Sequence, residues 1–194
     1  MNDLIFILGR RSGTSSLAKE LFDLKLPVVE PLDKREYPSN LDGHYENLEV
    51  RHINNKLWRH FRSNPNSPIL FPFLWYRQAH EWLAKHPGLT IVKEPNLCLT
   101  WPIWLASIEK EQGGAPTGRK IRAVWSYRSE TDVAASHEKW YGDMEDCRVV
   151  DWLRVAKFYA HSISFAMEFI DTRVIDLDDP DRISKATEFI MQGE

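Results

Sequence analysis

The run Leu4-Ile5-Phe6-Ile7-Leu8, followed at once by Gly9-Arg10-Arg11-Ser12-Gly13-Thr14-Ser15-Ser16, constrains the fold more than any other stretch of the chain. Five consecutive apolar residues read as a buried strand. After the glycine-bounded turn come Leu17, Leu21 and Leu24, whose spacing predicts a helix from Thr14 to about Leu24. A strand, tight turn and helix in this order aim several backbone N–H groups and the positive end of the helix dipole at one point. That point is a site for a phosphate-like anion. The competing structural reading is a plain helix N-terminus that happens to be bounded by glycines.

The turn is close to the ATP-binding Walker loop but departs from it chemically. That loop places four residues between its glycines and then a lysine that reaches the β/γ-phosphates. Here three residues separate Gly9 from Gly13, Thr14 stands at the lysine position, and the cation has moved to Arg11. A loop of this kind cradles one phosphate-like group and is poorly suited to metal-dependent triphosphate chemistry.

Strand patterns recur between helical ones. Pro27–Val29, Leu89–Val92, Ile121–Ser126 and Thr172–Ile175 are further strand candidates. Helical periodicity fills Leu48–Phe61, Trp75–Ala84, Ile103–Lys110, Asp132–Trp140 and Val149–Phe169, and Asp179-Pro180 starts a terminal helix with proline in its first turn. In the Val149–Phe169 helix the apolar face is expected to include most of Val149, Trp152, Leu153, Ala156, Phe158, Ile163 and Phe165. Gln112–Gly118 reads as a loop. Such alternation implies one α/β domain with a parallel sheet, in which ligands bind outside the carboxyl ends of the strands. The segments just past those ends are Gly9–Ser16, Lys93-Glu94-Pro95-Asn96 and Tyr127-Arg128-Ser129.

Arg128 at a strand end and Ser136 on the following helix can converge on a second anion, through a forked permanent cation and a hydroxyl. The competing readings are a surface ion pair of Arg128 with Glu130 or Asp132, and a packing role for Ser136. Two anion sites on neighbouring strand ends call for a ligand with two separate phosphate-like groups.

At these residues the chain resembles the sulfotransferase family that uses 3′-phosphoadenosine 5′-phosphosulfate (PAPS), in its small bacterial or phage form. Arg11–Leu17 is similar to the family's 5′-phosphosulfate loop, and Tyr127–Ser136 to its 3′-phosphate motif. Gly43-His44-Tyr45-Glu46, Ile53-Asn54-Asn55-Lys56-Leu57 and Lys93–Leu99 resemble further segments, so the likeness runs from residue 4 to about 178. It implies a three-layer P-loop NTPase-like fold with a central, mostly parallel sheet of about five strands flanked by helices. It also implies PAPS as co-substrate without a metal. Arg10, Arg11, Ser12, Gly13, Thr14, Ser15, Ser16, Arg128 and Ser136 would bind it. The steroid/phenol type of the family carries lysine where this chain has Arg11, and its C-terminal glycine- and lysine-rich motif has no counterpart after Ile175.

Sulfuryl transfer needs fixed donors where charge develops on the bridging oxygen, a role that falls to Arg11, Thr14, Ser15 and the loop N–H groups. It also needs a base for the acceptor's proton. Glu46 and His44 are the candidates, with Glu46 preferred. The competing reading of His44-Tyr45-Glu46 is a helix-capping turn with Glu46 in the first turn. Lys93 either touches the sulfuryl group or pairs with Glu94.

Composition narrows the partners. With 25 basic and 28 acidic residues the net charge is −3, which gives no electrostatic case for nucleic acid. No apolar run is long enough to span a membrane, and no secretory signal opens the chain. Cys98 and Cys147 have neither disulfide-scaffold nor metal-ligand spacing, so the expected setting is the cytoplasm. The expected acceptor is a small molecule or glycan. The tryptophan-rich stretches around Trp75–Trp82 and Trp101–Trp104 would either line its site or fill the core. A P-loop small-molecule kinase and a non-catalytic nucleotide-binding protein are the alternatives.

Overall fold

The computed structural model describes residues 3–35, 43–63, 73–111, 119–141 and 150–192. In chain order its elements are β1 (Leu4–Leu8), α1 (Thr14–Asp23), β2 (Leu32–Asp33), β3 (Glu46–Asn47), α2 (Leu48–Ser63) and α3 (Phe73–Lys85). There follow β4 (Thr90–Lys93), α4 (Leu97–Glu111), β5 (Ile121–Tyr127), α5 (Glu130–Tyr141), α6 (Trp152–Ala166), β6 (Asp171–Asp176) and α7 (Arg182–Met191).

Every residue of β1 is buried. Leu4, Phe6 and Leu8 pack with residues of α2, α3, α4 and α6, including Leu57, Leu83, Trp104 and Ile163. Ile5 and Ile7 point the other way, onto Leu17 and Leu21 of α1 and Ala186 and Ile190 of α7. Helices therefore cover both faces of the sheet, and β1 is apolar throughout because neither face meets water.

The main sheet runs β4-β1-β5-β6, with every neighbouring pair parallel. Outside β4 the chain makes one parallel bridge, Val28 to Ile91. The expected strand at Pro27–Val29 is thus reduced to a single rung, and among the described residues the sheet has four full strands rather than about five. From β1 the chain moves to one side, through Val28 and β4, then returns to the other side for β5 and β6. That reversal places the switch point between β1 and β5, where open parallel sheets bind ligands.

Four details differ from the sequence expectations. The two-residue strands β2 and β3 pair antiparallel, a contact too short to leave a periodic signal. Helix α4 begins at Leu97, ahead of the expected Ile103, and carries Pro102 in its interior. Proline has no N–H for the carbonyl four residues back, and the Cys98 carbonyl instead accepts the Ser162 hydroxyl at 2.5 Å. On α6 the buried stripe is Ala156, Tyr159, Ile163 and Ala166, so Leu153 (37% exposed), Phe158 (53%) and Phe165 (49%) face outward, against expectation. That stripe follows the three- and four-residue steps of a helix, which Phe158 and Phe165 miss. Helix α7 starts two residues after Pro180, which precedes its first turn.

Trp82, Trp101 and Trp104 are core residues. Gln112–Gly118, Phe71-Pro72, Cys147 and Val149 lie outside the described residues. Among the described residues no helix is long and apolar enough to cross a membrane.

Candidate functional site

The loop after β1 owes its shape to backbone conformations that need glycine. Gly9 has φ of 133°, and a Cβ there would overlap Ser12 Oγ and lie 2.9 Å from the Ser126 carbonyl oxygen. Gly13 has φ of 73°, and a Cβ there would overlap the Leu177 side chain. Arg11 between them is also left-handed, with φ of 57°, a strained conformation for an arginine. Three neighbours hold the loop: the Ser126 hydroxyl donates to the Ser12 carbonyl, Gly9 N–H donates to Cys98 Sγ at 3.3 Å, and Leu177 closes over Gly13. No side chain caps α1 and no acidic residue sits in its first turn. The first-turn N–H groups, which have no intrahelical partner, are therefore left for an anion.

A cavity of about 430 Å³ opens at this point. Arg10, Arg11, Gly13, Thr14, Ser15 and Ser16 line it from the loop, His44 and Glu46 from the β2–β3 side, Lys93 from β4, and Arg128 and Ser136 from the β5–α5 side. Residues from four separate segments of the sequence thus meet at the switch point. Ser12 is the exception: it is buried and does not line the cavity, so its side chain belongs to the loop's foundation.

The arginines are oriented by aromatic rings. Arg10 Nη1 donates to the Tyr159 hydroxyl at 2.7 Å, with its guanidinium 4.9 Å from that ring's centre. The Arg11 guanidinium lies 5.1 Å from the centre of Tyr141. Burial lowers the Arg11 pKa from its ordinary value, opposed by Tyr141. Arg128 makes no ion pair with Glu130 or Asp132 among the described residues. Asp132 is engaged instead by Ser129, whose hydroxyl donates to Oδ2 at 2.6 Å and accepts the Asp132 N–H at 3.2 Å. Ser129 is the N-cap of α5, which accounts for the serine at that place in the motif.

The opposite wall is built from charge pairs. Lys93, 2% exposed, donates from Nζ to Glu46 Oε1 at 3.1 Å, to the His44 carbonyl at 2.8 Å and to Ser15 Oγ at 3.2 Å. Its partner is thus Glu46, where the sequence had left Glu94 as an alternative. Burial pushes the Lys93 pKa down, and Glu46 opposes that shift. Arg51 joins the second Glu46 oxygen, at 3.4 Å, to Asp33 at 2.8 Å. Arg35 and Arg51 hold the Asp33 carboxyl well below the usual range. His44 Nδ1 stands 3.8 Å from Glu46 Oε1. Burial pushes the His44 pKa below its ordinary value, so the ring is neutral at pH 7.

Glu46 is not a first-turn cap residue. Asn47 caps α2 by accepting the Val50 N–H at 2.9 Å, and Glu49 is the acid of the first turn. Glu46 is left free of helix duty and faces the cavity. Arg51, Asn55, Tyr141 and Leu177 also line the cleft, and sequence reasoning missed them. Arg51 stands five residues after Glu46 and Tyr141 five after Ser136, spacings that carry no signal without the fold.

No protein-family model matches the chain, and no curated protein matches it in sequence. Among solved structures, shikimate kinase from Bacteroides thetaiotaomicron aligns over 99% of this chain and 98% of its own at 11% identity, with a TM-score of 0.51. A gluconokinase from Sinorhizobium meliloti 1021 aligns over 98% and 91% at 14% identity and TM-score 0.49. Deoxyadenosine kinase from M. mycoides, solved with bound dATP, aligns over 98% and 99% at 10% identity and TM-score 0.49. The likeness to shikimate kinase is one of fold: this chain has the P-loop NTPase-like α/β architecture. At such identity fold alone is shared, and function rests on the site.

Proposed function

We propose that the cleft binds PAPS and transfers its sulfuryl group to a hydroxyl or amine of a small-molecule or glycan acceptor, releasing 3′,5′-ADP. The observation that carries this reading is the meeting of two cation sites, Arg11 on the β1 loop and Arg128 with Ser136 beyond β5, in one cavity. The loop has threonine where a triphosphate-binding lysine would stand.

In this reading the loop N–H groups, Arg10, Arg11, Thr14, Ser15 and Ser16 hold the 5′-phosphosulfate, while Arg128 and Ser136 hold the 3′-phosphate. An oxygen or nitrogen of the acceptor attacks sulfur in line, the bond from sulfur to the bridging oxygen breaks, and the electron pair leaves on the 5′-phosphate of 3′,5′-ADP. Glu46 takes the acceptor's proton. It is one Lys93-mediated contact from Ser15, beside the place where the attacking atom must lie. Lys93 neutralises charge on the sulfuryl oxygens.

A second reading is phosphoryl transfer from MgATP to a small molecule, supported by the fold shared with shikimate kinase. Arg11 would then serve the β/γ-phosphates in place of lysine. Calorimetry with 3′,5′-ADP and with MgATP separates the two. The PAPS reading expects 3′,5′-ADP to bind, with Arg11→Ala and Arg128→Ala each weakening it by about tenfold or more. If neither substitution changes 3′,5′-ADP binding, the site assignment fails. Turnover of MgATP but not PAPS establishes the kinase reading, and 3′,5′-ADP binding without transfer indicates a nucleotide-binding protein.

A further inference from the structure

A chain of amides runs from the core to the mouth of the cleft, and its polarity at the buried end is set by a group that cannot reverse. At the buried end the Trp104 indole, a donor only, donates to Asn54 Oδ1 at 3.1 Å. Asn54 Nδ2 therefore faces Glu94, to whose Oε2 it donates. Glu94, 1% exposed, also receives the Asn96 backbone N–H on Oε2 at 3.0 Å and Asn96 Nδ2 on Oε1 at 3.1 Å. The same Asn96 Nδ2 spends its second hydrogen on Asn55 Oδ1, at 3.1 Å. Asn55 is exposed and lines the cleft, so what it offers a ligand is its own Nδ2 with two N–H donors.

We propose that Glu94 sets the hydrogen-bonding polarity of this wall: ionised, it makes Asn55 present N–H donors to the cleft, and protonated, it makes Asn55 present its carbonyl. The proton has one place to go. Trp104 and Asn54 keep Oε2 an acceptor, so the proton sits on Oε1 and donates to Asn96. Asn96 must then turn its Oδ1 inward, where it accepts from Asn55 Nδ2, and the Asn55 oxygen swings outward. No bond is made or broken beyond the proton taken from water. The acceptor favoured by the ionised state is one that brings a lone-pair oxygen to Asn55, a hydroxyl or carbonyl. This inference rests on the proposed function only in placing the acceptor at this wall, beside Glu46.

Burial pushes the Glu94 carboxyl up to about 7, so both states are populated at neutral pH. The groups acting on it are Glu46 from β3, which raises it further, Lys93 from β4 and Asn54 from α2, which oppose, and the Asn96 backbone N–H ahead of α4, which also opposes. Cys98 of α4, its thiol pushed up to about 12 by burial, and Tyr159 of α6 also interact with Glu94. A raised carboxyl favours the protonated fold. Its contribution to stability is complete below the unfolded pKa, near 4.5, and is lost as the pH rises through about 7.

The test follows the Asn55 side-chain amide by NMR on the full ¹⁵N-labelled chain from pH 5 to pH 9. In the wild type the signal should shift with a midpoint near 7. Glu94→Gln should lose that titration, and Glu46→Gln should retain it. If Glu94→Gln does not fold, Asn96→Ala breaks the relay and should also leave Asn55 insensitive to pH. A wild-type Asn55 amide that does not titrate, or one that still titrates in Glu94→Gln, overturns the proposal. The measurement needs no nucleotide, so it stands apart from the sulfuryl reading, which fails separately if 3′,5′-ADP does not bind by calorimetry.

Discussion

The Gly9–Ser16 loop and the Glu46–Lys93 wall face each other across one cleft and hold charge by different means. The loop uses backbone: left-handed residues at Gly9, Arg11 and Gly13, an uncapped helix start, and arginines resting on Tyr141 and Tyr159. Its cations rest on aromatic faces, Arg10 on Tyr159 and Arg11 on Tyr141. The wall uses side chains from β2, β3, α2 and β4 that neutralise one another, Lys93 with Glu46 and Arg51 with both Glu46 and Asp33. Charge on this wall is largely balanced within it, whereas the loop presents its cations on aromatic faces. Under the proposed function the first wall would take the charged donor and the second its acceptor.

That division can be broken at three points. The largest effect is expected from Gly9→Ala, which adds a strained φ and an overlap with Ser12 and Ser126. It should cost about 4 kcal/mol in chemical denaturation and abolish 3′,5′-ADP binding. Lys93→Met comes next. It takes the buried ammonium away from the Glu46 carboxylate, leaving Arg51 and the His44 ring beside it, and should cost about 3 kcal/mol in urea unfolding. Turnover should fall by about 100-fold. Retained 3′,5′-ADP affinity in that variant would sharpen the contrast between the walls, whereas a loss as large as that of Arg128→Ala would erase it. The smallest effect is expected from Ser129→Ala, which removes the α5 cap beside Arg128. A loss of about 1 kcal/mol in thermal stability with unchanged 3′,5′-ADP binding would show that Ser129 holds the helix and not the ligand.

The two walls also differed in how far they could be read in advance. Leu4–Leu8 is β1 to the residue, and α1 starts at Thr14 as its spacing predicts. Arg128 and Ser136 meet the loop because the parallel alternation put their strand beside β1. The other wall was legible only as names. Glu46 and Lys93 were candidates, but their pairing, the clamp by Arg51 and the capping of α2 by Asn47 were not. Strand β3 is two residues long, and helix α4 hides behind Pro102, so periodicity had nothing to register. The outward turn of Phe158 and Phe165 was likewise decided by what α6 packs against.

By itself the sequence determined the elements whose cause is local: an apolar run that must be buried, glycines where only a left-handed turn fits, and helices with their own apolar stripes. Tertiary structure decided which charges meet. The partner of Lys93, the meeting of Arg128 with the β1 loop and the amide relay from Trp104 to Asn55 all depend on distances between segments far apart in the chain. Burial then fixes whether a carboxyl such as Glu94 is ionised, because it is the surrounding protein that replaces water.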